Sequence, residues 1–508
     1  MLILSIHLGH NASICLFDDG EVKKYFLVER FTRKKYDNDI TVILKLVNAI
    51  CRKSSVDILC ISDFNPIQKD RFIPKIFREC QKFNPNIKVV MQSDHHLNHA
   101  FLSFCNSKFE ESLVIVADGS GSTIKDNLVE VESVFTFSHE NNTLIYKKSV
   151  EKFSAFDLPW GKNEFGVGGL YDMASVMIGN TPDDCGKSMG LSSYGSSNKL
   201  FEDLFLKKIP NIKPIKKIET NNYQLYADFC YEVQQQTQKV IGDLIEDSIQ
   251  KTGFKRVCIS GGYGMNIVSN YYYLQRFPNI QFYFEPISND NGVSIGAAMK
   301  LYFELTKKYS SPIASTSFHG LNYDVTPYRG LSVSIKDIAY LLNQNKSIAV
   351  YKGLAESGQR ALGNRSIFFN ALNKDARDIV NEIKKREWYR PFACVVLEED
   401  ANVYFNMGRI KSSPYMTVCF PVREKYVKII PGVTHVDNTC RIQTVSDGYL
   451  YELLQEFKKL SGHGILLNTS FNLAGEPLVE TPIDAVNTLN NSSLDYLWFE
   501  ETHQLIDR

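Results

Sequence analysis

The sequence lacks the features that mark several large classes of protein. Its eleven cysteines include no Cys-x-x-Cys pair, which argues against a thiolate zinc site and a disulfide framework and predicts a reducing cytoplasm. Apolar runs such as residues 113–117 fall far short of the roughly 18 residues of a membrane span. The first residues carry no basic leader, so neither export nor membrane insertion is expected.

The chain also lacks an excess of charge of either sign. Lys and Arg together number 57, and Asp and Glu also number 57, which removes the global positive field that binding to polymeric nucleic acid or an anionic membrane relies on. No such partner is expected, and any basic site must be local. Apolar residues make up 44% of the 508 residues, which suits a folded chain of two or three lobes.

Two strand–loop–strand patterns indicate an internal duplication. Residues 2–29 read as three strands separated by the loop at 9–13 and a turn at 18–20. A similar pattern follows at 113–137, where an apolar strand leads into a loop of glycine and serine and a strand resumes. Meanders of this kind, each followed by α/β elements, are found in the duplicated actin-like ATPase fold.

The rest of the chain divides at a change of composition. Residues 223–252 predict a long helix, 257–260 a buried strand that ends in a glycine turn, and 282–305 a strand followed by a helix of small residues. From residue 307 to about 334 the sequence is rich in Ser, Pro, Gly and Tyr, which predicts a junction. We therefore expect one domain over 1–320 and an α+β domain over 334–508.

Four residues form a candidate metal site. His95 and His99 are four residues apart, so on a helix they share one face and can bind one ion. Asp118 follows an apolar strand, and Asp290 lies in a turn before a helix. Each residue alone has a plain explanation as a helix surface, a cap or a turn. Together, two imidazoles and two carboxylates without thiolate suit iron(II), manganese or zinc.

Other polar motifs in the first domain are weaker signals. His10 lies in the first glycine loop, where a structural histidine and a catalytic base fit the pattern equally well. The basic run at 30–35 is typical of a solvated face. Residues 186–195 place three glycines around Lys187 and could admit a nucleotide, although the P-loop spacing is missing.

The second domain carries cations that suit a phosphate. Arginine binds dianionic oxygens through two hydrogen bonds and lysine supplies a compact charge, although unrelated surface ion pairs would give the same composition. Ser470 and Asn472 follow a strand and could orient an anion or simply cap a loop. The candidate cations are Arg360, Arg365, Lys384, Arg390 and Arg441.

Eleven segments, taken in order, resemble the NodU/CmcH family of O-carbamoyltransferases. The resemblance implies a duplicated actin-like ATPase lobe of the ASKHA type, similar to the tRNA threonylcarbamoyl transferase, and a smaller C-terminal α+β lobe that is YrdC-like. The segments, which span nearly the whole chain, are GHNAS, ERFTRKK, DHHLNHA, ADGSGS, GKSMGLSSYG, SGGYGMN, NDNGVSIGAA, RALGNRSI, KKREWYRPFA, THVDNTCRIQTV and LLNTSFNLAGEPLVETP.

The resemblance also implies the chemistry of the second lobe. This lobe would bind carbamoyl phosphate and ATP, release carbamate from the former and adenylate it to carbamoyl-AMP in a site closed to water. One departure from the family is the dipeptide Gly358-Gln359, which replaces a common arginine–proline pair. The positions that match the family's anion-binding residues, or lie beside them, are Arg360, Arg365, Lys384, Arg390, Arg441, Ser470 and Asn472.

In the first lobe, the resemblance implies transfer of the carbamoyl group to an acceptor hydroxyl. His10 matches a histidine that activates the hydroxyl, and Lys35 matches a lysine that stabilises developing negative charge. The expected cofactors are iron(II) in this lobe and Mg²⁺ with ATP. The matching metal ligands are His95, His99, Asp118 and Asp290, and the matching adenylate-binding residues are Gly119, Lys187, Gly190, Gly261, Gly262 and Asn266.

The prediction is a cytoplasmic, ATP-dependent O-carbamoyltransferase. Its partners would be carbamoyl phosphate, ATP and a hydroxylated small molecule, such as a natural product, a sugar or a hydroxymethylated nucleotide, and the family makes a homodimer plausible. Two alternatives stay open. One is threonylcarbamoyl transfer to tRNA, which a local basic face would permit, and the other is a regulator that binds nucleotide or metal without catalysis.

Overall fold

The chain forms two compact units. A computed structural model describes residues 1–125, 127–152, 165–205, 212–313 and 318–508. The first unit comprises Met1–Val28 and Tyr36–Thr316, and the second comprises Glu29–Lys35 and Ser317–Arg508. Among the described residues, no helix has both the length and the apolar character needed to cross a bilayer.

The first sheet of unit 1 begins with the predicted meander. Strands β1, β2 and β3 pair antiparallel, and β4 and β5 add in parallel beside β1, giving the order β3-β2-β1-β4-β5. The β2–β3 turn places Asp19 and Gly20 at φ 46° and 94°, a conformation that these two residue types tolerate. The strands are Leu2–His7, Ser13–Asp18, Glu21–Leu27, Ile58–Ser62 and Lys88–Gln92.

The second sheet of unit 1 repeats this arrangement. Strand β6 pairs antiparallel with β8, β8 pairs antiparallel with β9, and β10 and β11 add in parallel beside β6. The short strand β7 also pairs with β8. The order β9-β8-β6-β10-β11 therefore matches that of the first sheet, in line with the predicted duplication. The strands β6 to β11 are Ser112–Ala117, Thr123–Lys125, Leu128–Phe137, Asn142–Glu151, Arg256–Ser260 and Gln281–Phe284.

Helices α5 and α10 pack closely together and fix the position of the candidate metal residues. A Cβ added at Gly296 of α10 would lie 2.0 Å from the carbonyl oxygen of Asn98 in α5, so glycine allows the two backbones to approach. The predicted helix of small residues is confirmed as α10. Helices α1 to α10 are Val28–Thr32, Ile40–Cys51, Pro66–Arg71, Ile73–Gln81, His95–Ser107, Val167–Met177, Cys185–Ser192, Gln224–Thr252, Ile267–Arg276 and Val293–Thr306.

A buried carboxyl group joins α5 to the end of β11. Asn106 of α5 donates to Oε2 of Glu285 at 3.0 Å, and the backbone N–H of Ile287 donates to Oε1 at 3.0 Å. Burial raises the pKa of Glu285 to about 7, above the value of about 4.3 for an exposed glutamate. The native state therefore binds this proton more tightly than the unfolded chain does.

Stability is expected to fall as Glu285 ionises. Because the pKa of Glu285 is higher in the folded protein than in the unfolded chain, the protonated group contributes to the free energy of unfolding. This contribution is fully present below about pH 4.3 and is lost as the pH rises toward 7. Urea unfolding of Glu285→Gln between pH 5 and 8 should therefore show the variant gaining stability relative to wild type with increasing pH. The exposed Glu111→Gln serves as the control, and a pH-independent difference for Glu285→Gln would contradict the expectation.

Unit 2 is built on one mixed sheet of nine strands with helices on both faces. Its order is β12-β20-β19-β13-β14-β18-β15-β17-β16. One core contains Ile338 and Leu453 from α11 and α15, and the other contains Ile383 and Leu489 from α12 and α16. Strands β12 to β20 are Leu331–Ser332, Ile348–Tyr351, Arg365–Asn370, Ala393–Leu397, Cys419–Pro421, Thr439–Val445, Ile465–Ser470, Tyr496–Phe499 and Gln504–Asp507. Helices α11 to α16 are Ile335–Asn343, Ala376–Lys384, Glu398–Tyr404, Glu424–Val427, Gly448–Ser461 and Pro482–Asn490.

Residues 29–35, here called the basic segment, depart from the sequence prediction. The basic run was expected to be a solvated face, but Arg30 is only 3% exposed. The third strand ends at Leu27, two residues earlier than predicted, and the chain turns into α1. The segment then packs within unit 2, although the residues on either side of it belong to unit 1.

Candidate metal centre and anion site

Four buried side chains of unit 1 bring their ligand atoms together. His95 and His99 lie on one face of α5, Asp118 follows β6 and Asp290 precedes α10. The Nε2 atoms of the two histidines are 3.1 Å apart. Oδ2 of Asp118 lies 3.1 Å and 3.5 Å from these two nitrogens, and Oδ1 of Asp290 lies 3.5 Å and 3.6 Å from them. The four atoms all lie within 4.8 Å of one another.

The five distances of 3.1 Å to 3.6 Å between these atoms suit ligands of a single transition-metal ion. With metal–ligand bonds of about 2.1 Å, ligand atoms at right angles lie about 3.0 Å apart and opposite ligand atoms about 4.2 Å apart. Two carboxylates and two imidazoles match the donor preference of iron(II), manganese or zinc. Nδ1 of His99 is buried and has no hydrogen-bond partner among the residues that the structure describes, and the polar contacts of this ring are made by its Nε2.

A second group of residues orients the candidate ligands. Nδ1 of His95 lies 3.0 Å from Oδ2 of Asp63, which lies 3.2 Å from Nδ1 of His7. Such a carboxylate fixes the tautomer of a ligating imidazole and leaves Nε2 to face the ion. The backbone N–H groups of Gly119 and Gly262 lie 2.8 Å and 3.3 Å from Oδ1 of Asp118, so its Oδ2 is left for the centre.

Opposite charges dominate the electrostatics of this cluster. Burial by itself lowers the pKa of His95, but Asp63, Asp290 and Asp118 outweigh it and raise that pKa well above the ordinary value. Burial raises the pKa of Asp118, and Asp290 adds to that effect, yet hydrogen bonds from His95 and His99 bring it below the ordinary value. The carboxylates are thus held in the deprotonated form that binds metal.

His10 lies beside the cluster and is open to solvent. Its Nδ1 is 3.3 Å from Oδ2 of Asp290, its Nε2 is 3.9 Å from Oδ1 of Asp183, and its side chain is 54% exposed. The negative charge of Asp290, with a smaller contribution from Asp183, raises the pKa of His10 above its ordinary value. The histidine that bonds the loop backbone is instead His7, whose Nε2 lies 3.0 Å from the carbonyl oxygen of His10. His10 therefore lies between two carboxylates, those of Asp290 and Asp183.

The other predicted residues of unit 1 have structural partners. Residues 185–192 form helix α7 rather than a glycine loop, and Gly190 is buried within it. Lys187 donates to Oδ1 of Asn180 at 2.8 Å and lies 3.2 Å from Oδ2 of Asp184. Gly261 has φ 84°, and a Cβ there would lie 2.3 Å from the carbonyl oxygen of Ala117. The chain thus needs glycine directly beside the strand that leads to the cluster.

Asn266 has a structural role that accounts for its side chain. It caps α9, accepting from the backbone N–H groups of Val268 and Ser269. Its amide also donates to the hydroxyl of Tyr171 at 3.0 Å and to Oε1 of Gln234 at 3.1 Å. These contacts fit a helix cap, which stabilises a helix by about 1 kcal/mol, and give no direct support to the predicted contact with adenylate.

In unit 2, one lysine organises the loop that follows β18. Nζ of Lys384 donates to Oγ of Ser470 at 3.1 Å and to Oδ1 and the carbonyl oxygen of Asn472 at 3.0 Å and 2.9 Å, and it also contacts the carbonyl oxygen of Ser470. Burial and the charges of Arg386 and Arg390 lower the pKa of Lys384 well below its ordinary value. The three residues predicted from the motif order are therefore in direct contact.

Half-buried arginines form a cationic cluster at the same edge of the sheet. Burial, then Arg441 and Arg390, lower the pKa of Arg360 well below its usual range. Burial and the same two arginines also lower the pKa of Arg386, while burial lowers that of Arg441 to about 10. Cations that lower one another's pKa in this way repel one another, and a bound anion would offset that repulsion. Arg386 was not among the predicted residues, although it lies within the KKREWYRPFA segment.

The sheet register explains why these residues converge. Ala393 of β15 pairs with both Arg441 of β17 and Asn468 of β18. Nδ2 of Asn468 donates to the carbonyl oxygen of Ala361 at 3.3 Å, and Nε2 of Gln443 donates to that of Leu362 at 2.8 Å. Two polar side chains on central strands thus hold the loop immediately after Arg360, a contribution that the motifs did not indicate.

The contacts of one further predicted residue differ from the expectation. Arg365 is fully buried, donates to the carbonyl oxygens of Lys352, Gly353 and Asn364 at 2.7 Å, 2.9 Å and 2.9 Å, and stacks on Tyr351. Its guanidinium is occupied by the backbone, so these contacts favour a structural role over the predicted phosphate contact. Lys35 lies in the basic segment, which belongs to unit 2.

Comparison with known proteins identifies the class. Residues 66–299 match the family model described as carbamoyltransferase N-terminus, and residues 339–505 match the one described as carbamoyltransferase C-terminus. The candidate metal ligands fall within the first match and the cationic cluster within the second. The protein is an enzyme of the carbamoyltransferase class. More particularly, the chain belongs to the carbamoyltransferase family of the NodU/CmcH type, as the motif order predicted.

Several relatives carry names from this family. Nodulation protein NolNO of Sinorhizobium fredii is 30% identical over 448 residues, which cover 79% of this chain and 62% of that protein. Nodulation protein U of Rhizobium tropici is 34% identical over 253 residues, covering 48% of this chain and 43% of the relative. An uncharacterized protein of Methanocaldococcus jannaschii is 29% identical over 542 residues, covering 98% of each.

Among solved structures, the similarities are more distant. The superposition with HypF of T. kodakarensis covers 60% of this chain and 48% of the HypF chain, with 12% identity and a TM-score of 0.40. The superposition with a ROK hexokinase of Thermus thermophilus covers 60% of this chain and 100% of the hexokinase chain, with 12% identity and a TM-score of 0.32.

Proposed function

We propose that the protein is an ATP-dependent O-carbamoyltransferase that makes carbamoyl-AMP in unit 2 and transfers the carbamoyl group to a hydroxyl in unit 1. The observation that carries the proposal is the coexistence, in one member of the carbamoyltransferase family, of a four-ligand metal cluster and a cluster of arginines around Lys384 and Ser470. The first suits group transfer and the second suits phosphates.

The proposed first reaction consumes two phosphate substrates. Water cleaves carbamoyl phosphate to carbamate and inorganic phosphate, and a carbamate oxygen then attacks the α-phosphorus of ATP, with pyrophosphate leaving. Arg360, Arg386, Arg390 and Arg441 would bind the phosphate oxygens, because guanidinium groups match them bidentately. The hydroxyl of Ser470, held by Lys384 at 3.1 Å, would orient the anion.

The proposed second reaction forms the ester and releases AMP. His10 would take the proton of the acceptor hydroxyl as its oxygen attacks the carbamoyl carbon of carbamoyl-AMP. His95, His99, Asp118 and Asp290 would hold a divalent metal, with iron(II) proposed, and a metal of this kind polarises a carbonyl or orients a phosphate when bound. The backbone N–H groups near Gly119 and Gly262 keep Asp118 in position.

The proposal extends to the fold of each unit. The repeated order of strands in the two sheets of unit 1 supports an actin-like ATPase fold for that unit, and unit 2 would be the YrdC-like part. Carbamoyl phosphate, ATP and a hydroxylated small molecule would be the substrates, with Mg²⁺ accompanying ATP, in the cytoplasm.

The test is a balance of products. Incubation with carbamoyl phosphate, ATP, Mg²⁺ and a panel of hydroxylated acceptors should give AMP, pyrophosphate and phosphate in equal amounts, with one acceptor gaining the mass of a carbamoyl group. Omitting carbamoyl phosphate should abolish pyrophosphate release. Release of ADP in place of AMP, or transfer that continues without ATP, would contradict the proposed route.

Replacing His10 should separate the two reactions. Because a positioned base contributes about 10²- to 10⁴-fold to a transfer step, His10→Asn is expected to lower ester formation by that factor while pyrophosphate release stays near the wild-type rate. Ser470→Ala should do the reverse and impair pyrophosphate release. The two half-reactions can be followed by pyrophosphate assay and by mass spectrometry of the acceptor. Equal loss of pyrophosphate release in both variants would refute this division of roles.

A further inference from the structure

The basic segment contacts two loops of unit 2 through a pair of arginines. The arginine loop, residues 356–365, carries Arg360 and leads into β14, and the serine loop, residues 470–480, carries Ser470 and Asn472. Both loops lie at the edge of the sheet where the cationic cluster forms. The hydrogen bonds of Arg30 and Arg33 to these loops are made to backbone carbonyl groups, so they constrain the path of the main chain.

Arg33 holds three consecutive residues of the serine loop. Its guanidinium donates to the carbonyl oxygen of Pro477 at 3.0 Å and to that of Leu478, and it lies 3.6 Å from the carboxylate of Glu476. The carbonyl oxygen of Glu476 in turn accepts from Nδ2 of Asn472 at 2.6 Å. One guanidinium is therefore linked, through a single residue, to the amide that contacts Lys384 and Ser470.

Arg30 holds the arginine loop in a similar way. The side chain is 3% exposed, and Nη2 donates to the carbonyl oxygens of Glu356 and Gly358 at 3.2 Å and 3.3 Å. Oε1 of Glu356 accepts from the backbone N–H groups of Leu362, Asn364 and Arg365 at 2.8 Å, 2.9 Å and 3.1 Å. Arg30 thus holds the first residues of the arginine loop by hydrogen bonds, and Glu356 holds the backbone at the end of the same loop.

We infer that Arg33 and Arg30 are positioning residues for the anion site of unit 2, and that the basic segment clamps the serine loop and the arginine loop in the conformation that binds phosphate. The inference rests on the proposed function. Neither arginine is assigned a contact with substrate. Each acts through main-chain carbonyl groups of a loop that also carries a residue proposed to make such a contact. A planar guanidinium can serve two carbonyl oxygens at once, whereas an ammonium cannot match that geometry.

The test compares anion binding and kinetics in Arg33 variants. Hydrogen bonds from a charged donor contribute about 10- to 100-fold to an equilibrium. Arg33→Ala is therefore expected to raise the Kd for inorganic pyrophosphate, measured by calorimetry, by about 10- to 100-fold. It should raise the KM for carbamoyl phosphate to a similar extent, with a much smaller change in kcat. Arg33→Lys should bind pyrophosphate more tightly than Arg33→Ala but less tightly than wild type. Added guanidine should restore pyrophosphate binding to Arg33→Ala.

Arg423 offers a matched control. It belongs to the same unit, is exposed, and donates from Nε to the carbonyl oxygen of Asn402 at 2.9 Å, so Arg423→Ala removes a comparable contact away from both loops. Its pyrophosphate affinity should equal that of wild type. Melting temperatures show whether each variant is folded. If Arg33→Ala does not fold, the pyrophosphate affinity of Arg33→Lys decides whether Arg33 has the positioning role.

The outcomes separate this inference from the proposed function. Equal pyrophosphate affinity in Arg33→Ala and Arg423→Ala would overturn the positioning role, and so would a loss in kcat alone with both affinities unchanged. A wild-type protein that binds pyrophosphate but releases none from ATP and carbamoyl phosphate would contradict the proposed reaction. In that case the comparison of affinities still decides the role of Arg33.

Discussion

Replacing His99 with alanine is expected to remove the bound divalent metal and to abolish carbamoyl transfer. His99 supplies one of four ligand atoms that lie within 4.8 Å of one another, and the ring is completely buried. Loss of a residue that merely orients a ligand costs about 10- to 100-fold in metal affinity. The loss of a ligand should exceed about 100-fold. Metal analysis of the purified variant by mass spectrometry provides the measurement.

The chain offers two comparisons for this experiment. His96 is also buried on α5, but its Nδ1 lies 2.8 Å from Oγ of Ser133, outside the cluster, so His96→Gln should retain the metal. Asp63 lies 3.0 Å from Nδ1 of His95, and Asp63→Asn should give an intermediate affinity, weakened by about 10- to 100-fold. Equal metal content in the His99 and His96 variants would show that the four-residue cluster does not hold the ion.

Replacing Arg441 should stop the first reaction and leave the metal centre intact. Its guanidinium lies in a cluster with Arg360, Arg386 and Arg390, and burial lowers its pKa to about 10. Removing one donor to a charged phosphate costs about 100-fold or more in rate. Arg441→Gln should therefore lower carbamoyl phosphate-dependent pyrophosphate release by at least about 100-fold, as measured in a continuous pyrophosphate assay.

The control for Arg441 is the exposed Arg423 of the same unit. Arg423→Gln should release pyrophosphate at the wild-type rate, since the described hydrogen bond of its side chain goes to the carbonyl oxygen of Asn402. Both variants should keep the metal content of wild type. If Arg441→Gln released pyrophosphate normally, the cluster of arginines would not be the phosphate site.

The residues that the sequence identified best lie at the ends of regular elements. The four-residue spacing of His95 and His99 predicted a shared helix face, and α5 confirms the helix. Asp118 could be recognised because it ends an apolar strand, and the helix over 223–252 because its pattern is long and uninterrupted. Local periodicity is enough for such assignments, whereas the convergence of Asp118 with Asp290 depends on strand order, which no local pattern contains.

The residues that were missed act through long-range contacts. Asp63 follows β4 and meets His95 and His7 across neighbouring elements, and nothing in its flanking residues distinguishes it from a turn. Arg30 was assigned to a solvated face because charge runs normally are, yet its partners lie more than 320 positions away in the chain. Arg365 was expected at or beside the phosphate because of its place in the motif, and its contacts with backbone carbonyl groups likewise depend on strand packing that the motif does not contain.

The most direct test of the central claim is isotope exchange between ATP and pyrophosphate. An enzyme that adenylates carbamate reversibly should incorporate labelled pyrophosphate into ATP without any acceptor, and only when carbamoyl phosphate and Mg²⁺ are also present. We expect this exchange in wild type and in His10→Asn, and its loss in Arg441→Gln. Exchange that is absent from wild type, or that proceeds equally without carbamoyl phosphate, would contradict the formation of carbamoyl-AMP by this protein.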